Sequence, residues 1–110
     1  MAYQKGDVLL VPFPFADARA TKARPALVLS DVTYEQETGN LILAQITGQV
    51  ARFSSDYGLK DWVQARLQKP SVVRLKLATL AASLVRYQLG ALTPADLAGV
   101  ETRLKQVLRV

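Results

Sequence analysis

Four consecutive apolar residues, Val8-Leu9-Leu10-Val11, follow a polar opening that ends in Gly6-Asp7. So short a run without alternation reads as a strand buried on both faces. Pro12 and Pro14 then interrupt ladder pairing and hold the chain extended. Ala16 to Ala23 is polar, carries Arg19 and Lys22, and reads as an exposed loop. A second strand is expected from Pro25 to Ser30, with Ala26-Leu27-Val28-Leu29 as its body. Residues 31 to 40 form a connection with room for a helical turn, closed by the turn signal Gly39-Asn40. Leu41 to Thr47 is a third strand, ended by Gly48, and Val50 to Phe53 is positioned to pair with it as a hairpin.

Ser54 to Pro70 is polar and irregular, with Tyr57, Leu59, Trp62 and Leu67 as its expected anchors. Ser71 to Leu77 returns to strand character. Alternation in Val73-Arg74-Leu75-Lys76-Leu77 sends Arg74 and Lys76 to one face and the apolar residues to the other. Ala78 to Leu89 fits a helix or a turn plus strand equally well. After Gly90, Thr93 suits an N-cap, Pro94 the first helical position, and Asp96 the positive end of the helix dipole. Leu97, Val100, Leu104, Val107 and Leu108 follow at helical spacing and predict a face docked on the sheet. Short strands in succession, one late helix and no alternation of strand and helix predict a mainly β fold, a small antiparallel barrel with a C-terminal helix. At 110 residues, 1–110 reads as a single domain.

Composition narrows the chemistry. The sequence has no cysteine and no histidine. Disulfides, thiolate nucleophiles and any serine–histidine pair are therefore excluded, and the commonest metal ligands are missing. Any catalysis must use Arg, Lys, Thr, Ser, Tyr or carboxylates. Fourteen Lys plus Arg against nine Asp plus Glu give +5. That balance suits a polyanionic partner, although it serves solubility equally well. No apolar run approaches the ~20 residues of a membrane span, and the opening lacks a signal-peptide layout, so a cytoplasmic protein is expected.

Three positions could carry chemistry. Arg24 is biased towards an extended backbone by Pro25 and would leave a strand edge, where a guanidinium can grip a phosphate with two parallel hydrogen bonds. Thr47 ends its strand, where a hydroxyl can bond a phosphate oxygen or simply close a local turn. Arg74 lies on the polar face of its strand. Each is also compatible with a merely solvated or structural role. Asp7, Asp31 and Asp56 are possible proton acceptors, but their spacing marks no carboxylate pair. No acidic cluster suggests a metal site, and no glycine-rich loop suggests a nucleotide cradle.

Read together, these segments resemble the PemK/MazF toxins. Gly6-Asp7-Val8-Leu9-Leu10-Val11-Pro12-Phe13 is similar to that family's first strand, and Lys22-Ala23-Arg24-Pro25-Ala26-Leu27-Val28-Leu29-Ser30 to its Arg-Pro motif. Ala44-Gln45-Ile46-Thr47, Lys69-Pro70-Ser71-Val72-Val73-Arg74 and Gly90-Ala91-Leu92-Thr93 follow in the family's order. The resemblance implies an SH3-like barrel that forms a homodimer and pairs with a cognate antitoxin. It also implies a cofactor-free, metal-independent endoribonuclease that cuts single-stranded messenger RNA at short sequences to a 2′,3′-cyclic phosphate. On that reading the active site falls on Arg24, Thr47 and Arg74, with Arg19, Lys22, Gln49 and Lys76 as RNA-binding residues. Lys76 departs from the PemK pattern, which has an aspartate proposed as general base there, and the first-loop histidine of some relatives is missing. Two other functions stay open: a gyrase inhibitor of the same fold, as in CcdB-like toxins, and an SH3-like module that binds RNA or protein without chemistry.

Overall fold

A computed structural model describes residues 2–13 and 22–110. Pro14 and, of the loop expected from Ala16 to Ala23, residues 16–21 with Arg19 lie outside the described residues; Ala23 already belongs to a strand. The elements are β1 (Asp7–Pro12), β2 (Ala23–Val28), α1 (Val32–Thr38), β3 (Asn40–Thr47), β4 (Tyr57–Gly58), β5 (Val72–Ala81), β6 (Tyr87–Ala91) and α2 (Pro94–Leu108). The six strands form one sheet in the order β4-β5-β3-β2-β1-β6, every recorded pair antiparallel.

Two bulges curl this sheet into a half-barrel. Between β3 and β5 the register jumps from Gln45↔Arg74 to Ala44↔Leu77, which leaves Leu75 and Lys76 as extra residues on β5. Between β1 and β6 it shifts from Val8↔Gly90 to Leu9↔Gln88. Extra residues on one strand bend it and sharpen its twist. The curl creates two cores. Val8, Leu27, Ala44, Ile46 and Val73 meet Val100 of α2 on one face, whereas Leu9, Val11, Ala26, Val28, Leu41 and Leu43 pack together on the other. Adjacent β1 residues thus enter different cores, as the unbroken apolar run in that strand requires.

The helices start and stop where the side chains dictate. Asp31 caps α1 by accepting from the Thr33 N–H, and Gly39 closes it in a left-handed conformation. Thr93 caps α2 by accepting from the Asp96 N–H, with Pro94 in its first turn. Val100 is fully buried and Leu97 and Leu104 pack on the core, but Val107 and Leu108 are each 51% exposed. The apolar stripe therefore docks over its first three members only.

Several expected boundaries change. The second strand begins two residues earlier than expected and ends at Val28. Val50 to Phe53 is no strand and makes no hairpin. Its backbone instead wraps the Asp56 carboxylate, which accepts from the N–H groups of Arg52 (2.8 Å) and Phe53 (3.2 Å). The strand expected over 71–77 continues to Ala81, and the ambiguous stretch becomes the end of β5, a 3-10 turn at Ala82–Leu84 and β6.

The long connection from β3 to β5 is held by a buried carboxylate. Asp96 accepts from the Tyr57 hydroxyl (2.8 Å) and from the N–H groups of Lys60 (3.2 Å) and Asp61 (2.8 Å). Leu59, Ala65 and Leu67 are buried, and Trp62 packs against the same core, so the expected anchors hold. Burial and the hydrogen bond to Asp96 push the Tyr57 phenol up to about 12.

Candidate active site

Sheet register accounts for Arg24 and Thr47 lining one groove. Ala26 pairs with Gln45 across β2 and β3. The same register carried two residues further sets Arg24 opposite Thr47, and side chains of opposed residues share a face. Both line a groove of about 460 Å³ that also contains Gln45, Gly48 and Gln49. Arg24 is exposed and Thr47 half-buried. The Thr47 hydroxyl oxygen accepts from the Gln49 N–H at 3.2 Å, the local turn bond expected of a strand-terminal threonine. Its own O–H remains available to donate to an anionic oxygen.

The groove is also lined by residues of the long connection and of β6. Arg66, Leu67, Gln68, Lys69 and Ser71 contribute from the connection, and Tyr87 and Leu89 from β6. Among the described residues its lining includes three cations, Arg24, Arg66 and Lys69, and no carboxylate. Lys69 lies over the backbone at Gly48, and Tyr87 is 57% exposed. Arg66, Lys69 and Tyr87 were not singled out from sequence as site residues. Lys69 stands beside Pro70 in a segment already noted. Nothing local distinguishes Arg66 or Tyr87, because only the path of the connection and the bulged pairing of β6 bring them to the groove.

Arg74 occupies a neighbouring depression of about 530 Å³, lined with Gln45, Gln49, Phe53, Ser55, Leu75 and Lys76. Gln45 and Gln49 border both spaces, so the two adjoin. The Arg74 guanidinium is already engaged. Its Nε and Nη2 donate to the two oxygens of Asp56 at 3.2 and 2.9 Å, and Nη1 donates to the Gln49 side chain at 3.2 Å. It also lies 5.3 Å from the centre of the Phe53 ring. Burial pushes the Asp56 carboxyl up, but hydrogen bonds from Arg74 and from the Arg52 and Phe53 backbone outweigh this and hold it below 3.8. Asp56 is therefore an ionised structural acceptor and a poor proton acceptor at neutral pH.

The other sequence-derived positions divide. Gln49 borders both spaces, and Lys76 lines the second together with Arg74. The bulge rather than simple alternation puts it there: Leu75 lines the same depression, and Leu77 is 39% exposed instead of buried. Lys22 is exposed ahead of β2 and lines neither space. Arg19 lies outside the described residues. Asp7 accepts from the Gln4 N–H and Asp31 caps α1, so neither reaches the groove. Among the described residues no three or more acidic, cysteine or histidine side chains cluster as metal ligands, and no helix is long and apolar enough to cross a membrane.

A curled half-barrel with a terminal helix, bearing a cationic groove at the end of its central strands, defines a class of small polyanion-binding β proteins. The comparisons narrow the class. Residues 4–108 match the model of the PemK-like, MazF-like toxins of type II toxin–antitoxin systems, and the chain belongs to that family. Its fold matches MazF from Deinococcus radiodurans with a TM-score of 0.79 and 25% identity, over 100% of this chain and 99% of the other. An endoribonuclease from a mycobacterial species, solved with its cognate antitoxin, matches at 0.77 and 18% identity over 99% and 95%. The Mycobacterium tuberculosis toxin MazF-mt6 matches at 0.76 and 21% identity over 94% and 97%. The last two likenesses establish the fold alone. A search of curated proteins found no match.

Proposed function

We propose that this toxin is an endoribonuclease that cuts single-stranded RNA through the substrate's own 2′-hydroxyl, without a metal ion. The observation that carries this reading is the groove that Arg24 and Thr47 line together with further cations and, among the described residues, no carboxylate. An RNA phosphate in such a groove meets fixed positive charge on several sides. The 2′-oxygen attacks the adjacent phosphorus, the bond from phosphorus to the 5′-oxygen breaks, and the products are a 2′,3′-cyclic phosphate and a 5′-hydroxyl.

Arg24 stabilises charge that builds on the non-bridging oxygens, the task to which a permanently charged guanidinium is suited. Thr47 donates its O–H to the same phosphate and helps hold the attacking geometry. Arg74, fixed by Asp56, acts from the adjoining space by positioning the 49–56 segment and adding positive potential. The sequence has no imidazole and no carboxylate among the described residues lines the groove, so the 2′-hydroxyl proton passes to a non-bridging phosphate oxygen or to water. The leaving 5′-oxygen takes its proton from the same pool. Gln45, Gln49 and Gln68 suit contacts to base edges at a short preferred sequence, and Tyr87 suits stacking on an unpaired base. DNA lacks the nucleophile and is not cut.

The same reading makes the active species a homodimer in the cytoplasm, held in check by a cognate antitoxin of the kind bound to the mycobacterial relative. The test is RNA cleavage in excess EDTA by wild type and by Arg24→Ala, with analysis of the product ends. Cleavage to a cyclic phosphate, lost in the variant, is the expected result. Intact RNA across varied sequences overturns the reading and points to binding without turnover, with Lys76 in place of a base as the first suspect.

A further inference from the structure

The groove contains a cation to which this mechanism gives no task. Arg66 has φ 66°, a left-handed conformation that costs an L-residue energy and that glycine adopts freely. Arg66 is pinned in that conformation. The Ala65 N–H donates to Asp61 O (3.2 Å), the Arg66 N–H to Val63 O (3.0 Å) and the Leu67 N–H to Trp62 O (3.0 Å). The last two bonds form the pattern that closes a helical turn, in which Arg66 holds the position usually given to glycine. Ala65 and Leu67, on either side of it, are buried. The stem of Arg66 crosses Gly90, where an added Cβ would come 2.9 Å from Arg66 Cγ and 2.5 Å from the Ala65 carbonyl oxygen.

A strained turn, a close-fitting glycine on β6 and two buried neighbours thus carry this side chain to the groove that Arg24 also lines. Among the described residues its guanidinium makes no hydrogen bond or ion pair, and none of them lines the groove with a carboxylate. Among the described residues no hydrogen bond or ion pair of its guanidinium repays the conformational cost of arginine at a glycine position, so an external anion is the partner that accounts for it. We infer that Arg66 is a second phosphate-binding residue of the groove, which grips an RNA phosphodiester neighbouring the one held at Arg24. The inference rests on the RNA reading above and assigns Arg66 to substrate binding, apart from the reacting atoms.

The test uses the full chain and a fluorescent 2′-O-methyl single-stranded RNA, which binds but cannot supply the nucleophile. Binding by wild type, Arg66→Gly and Arg66→Lys is measured across a salt series, and KM and kcat are measured on ordinary RNA. Glycine fits the left-handed position, so Arg66→Gly keeps the fold, which its melting temperature verifies. The expected result is a severalfold weaker complex whose salt slope is shallower by about 0.7 for the one lost phosphate contact. KM rises while kcat stays near wild type, and Arg66→Lys keeps the salt slope. Unchanged affinity and slope in Arg66→Gly, with wild type still cutting RNA, overturn the assignment alone. If wild type neither binds nor cuts RNA, the RNA reading fails and this inference fails with it.

Discussion

Two depressions meet at Gln45 and Gln49, and they use their arginines in opposite ways. In the Arg74 depression the guanidinium donates to Asp56 and Gln49 through all three of its nitrogens. In the Arg24 groove, Arg66 and Lys69 have side chains without a hydrogen bond or ion pair among the described residues. Positive charge therefore counts towards a ligand only where the protein has not already neutralised it. The first space is arranged to hold a loop, the second to receive an anion.

The largest expected effects test this division directly. Arg24→Ala should lower RNA cleavage by at least ~10²–10³-fold, the usual loss on removing a group that stabilises transition-state charge. Its melting temperature should stay near wild type, because Arg24 is exposed. Arg74→Ala should behave differently. It strands the Asp56 carboxylate, which has no side-chain exposure, and should cost about 3–5 kcal/mol. An Arg74→Ala, Asp56→Asn double variant removes the stranded charge and retains an oxygen for the two backbone N–H groups. It should regain much of the stability and, with it, cleavage. A stable but inactive double variant would show that Arg74 acts on RNA itself, and the contrast between the two spaces would collapse.

How much of this was legible in the sequence follows from the range of the interactions. Val8 to Val11, the Thr93 cap and the strand to Thr47 are set by neighbours in the chain, and they are found where the pattern put them. Arg24 and Thr47 were legible as isolated positions, but their pairing depends on a register fixed by Ala26↔Gln45. The hairpin at Val50 to Phe53 failed because Asp56 and Arg74 capture that backbone, and residue 74 lies far along the chain. Lys76 escaped simple alternation through the bulge at Leu75 and Lys76. Arg66 carried no local sign at all, since a charged residue in a polar stretch reads as solvated until a turn and a distant glycine direct it.

Glycine replacements separate a groove wall made of backbone from one made of side chain. At Gly90 a methyl group would meet the Ala65 carbonyl oxygen at 2.5 Å, and that carbonyl belongs to the hydrogen-bonded turn before Arg66. Gly90→Ala should cost about 1–3 kcal/mol, as overpacking against a fixed neighbour does, and should disturb the Arg66 wall. At Gly48 the obstacle is the far end of Lys69, with Cε 2.2 Å from the added carbon. A flexible side chain can swing away, so Gly48→Ala should change the urea midpoint little and weaken RNA binding modestly through the displaced lysine. Equal losses of stability in the two variants would mean that Lys69 is held as firmly as backbone.

The smallest effects appear in the pH dependence of stability, where the two ends of the long connection separate. Asp56 has a folded pKa below its ordinary 3.8, because the hydrogen bonds to its carboxylate outweigh burial. Its contribution is therefore complete above 3.8 and is lost as pH falls through the lowered value. Tyr57 shifts the other way, from 10.0 to about 12, chiefly through burial and then its hydrogen bond to Asp96. Its contribution is complete below pH 10 and is lost as pH rises from 10 towards 12. Urea midpoints across this range should show an acid limb that Asp56→Asn flattens and an alkaline limb that Tyr57→Phe flattens. Each substitution should leave the opposite limb in place. An acid limb unchanged by Asp56→Asn would mean that the Arg74 ion pair does not hold the loop, and the reason for setting Arg74 apart from the groove cations would be gone.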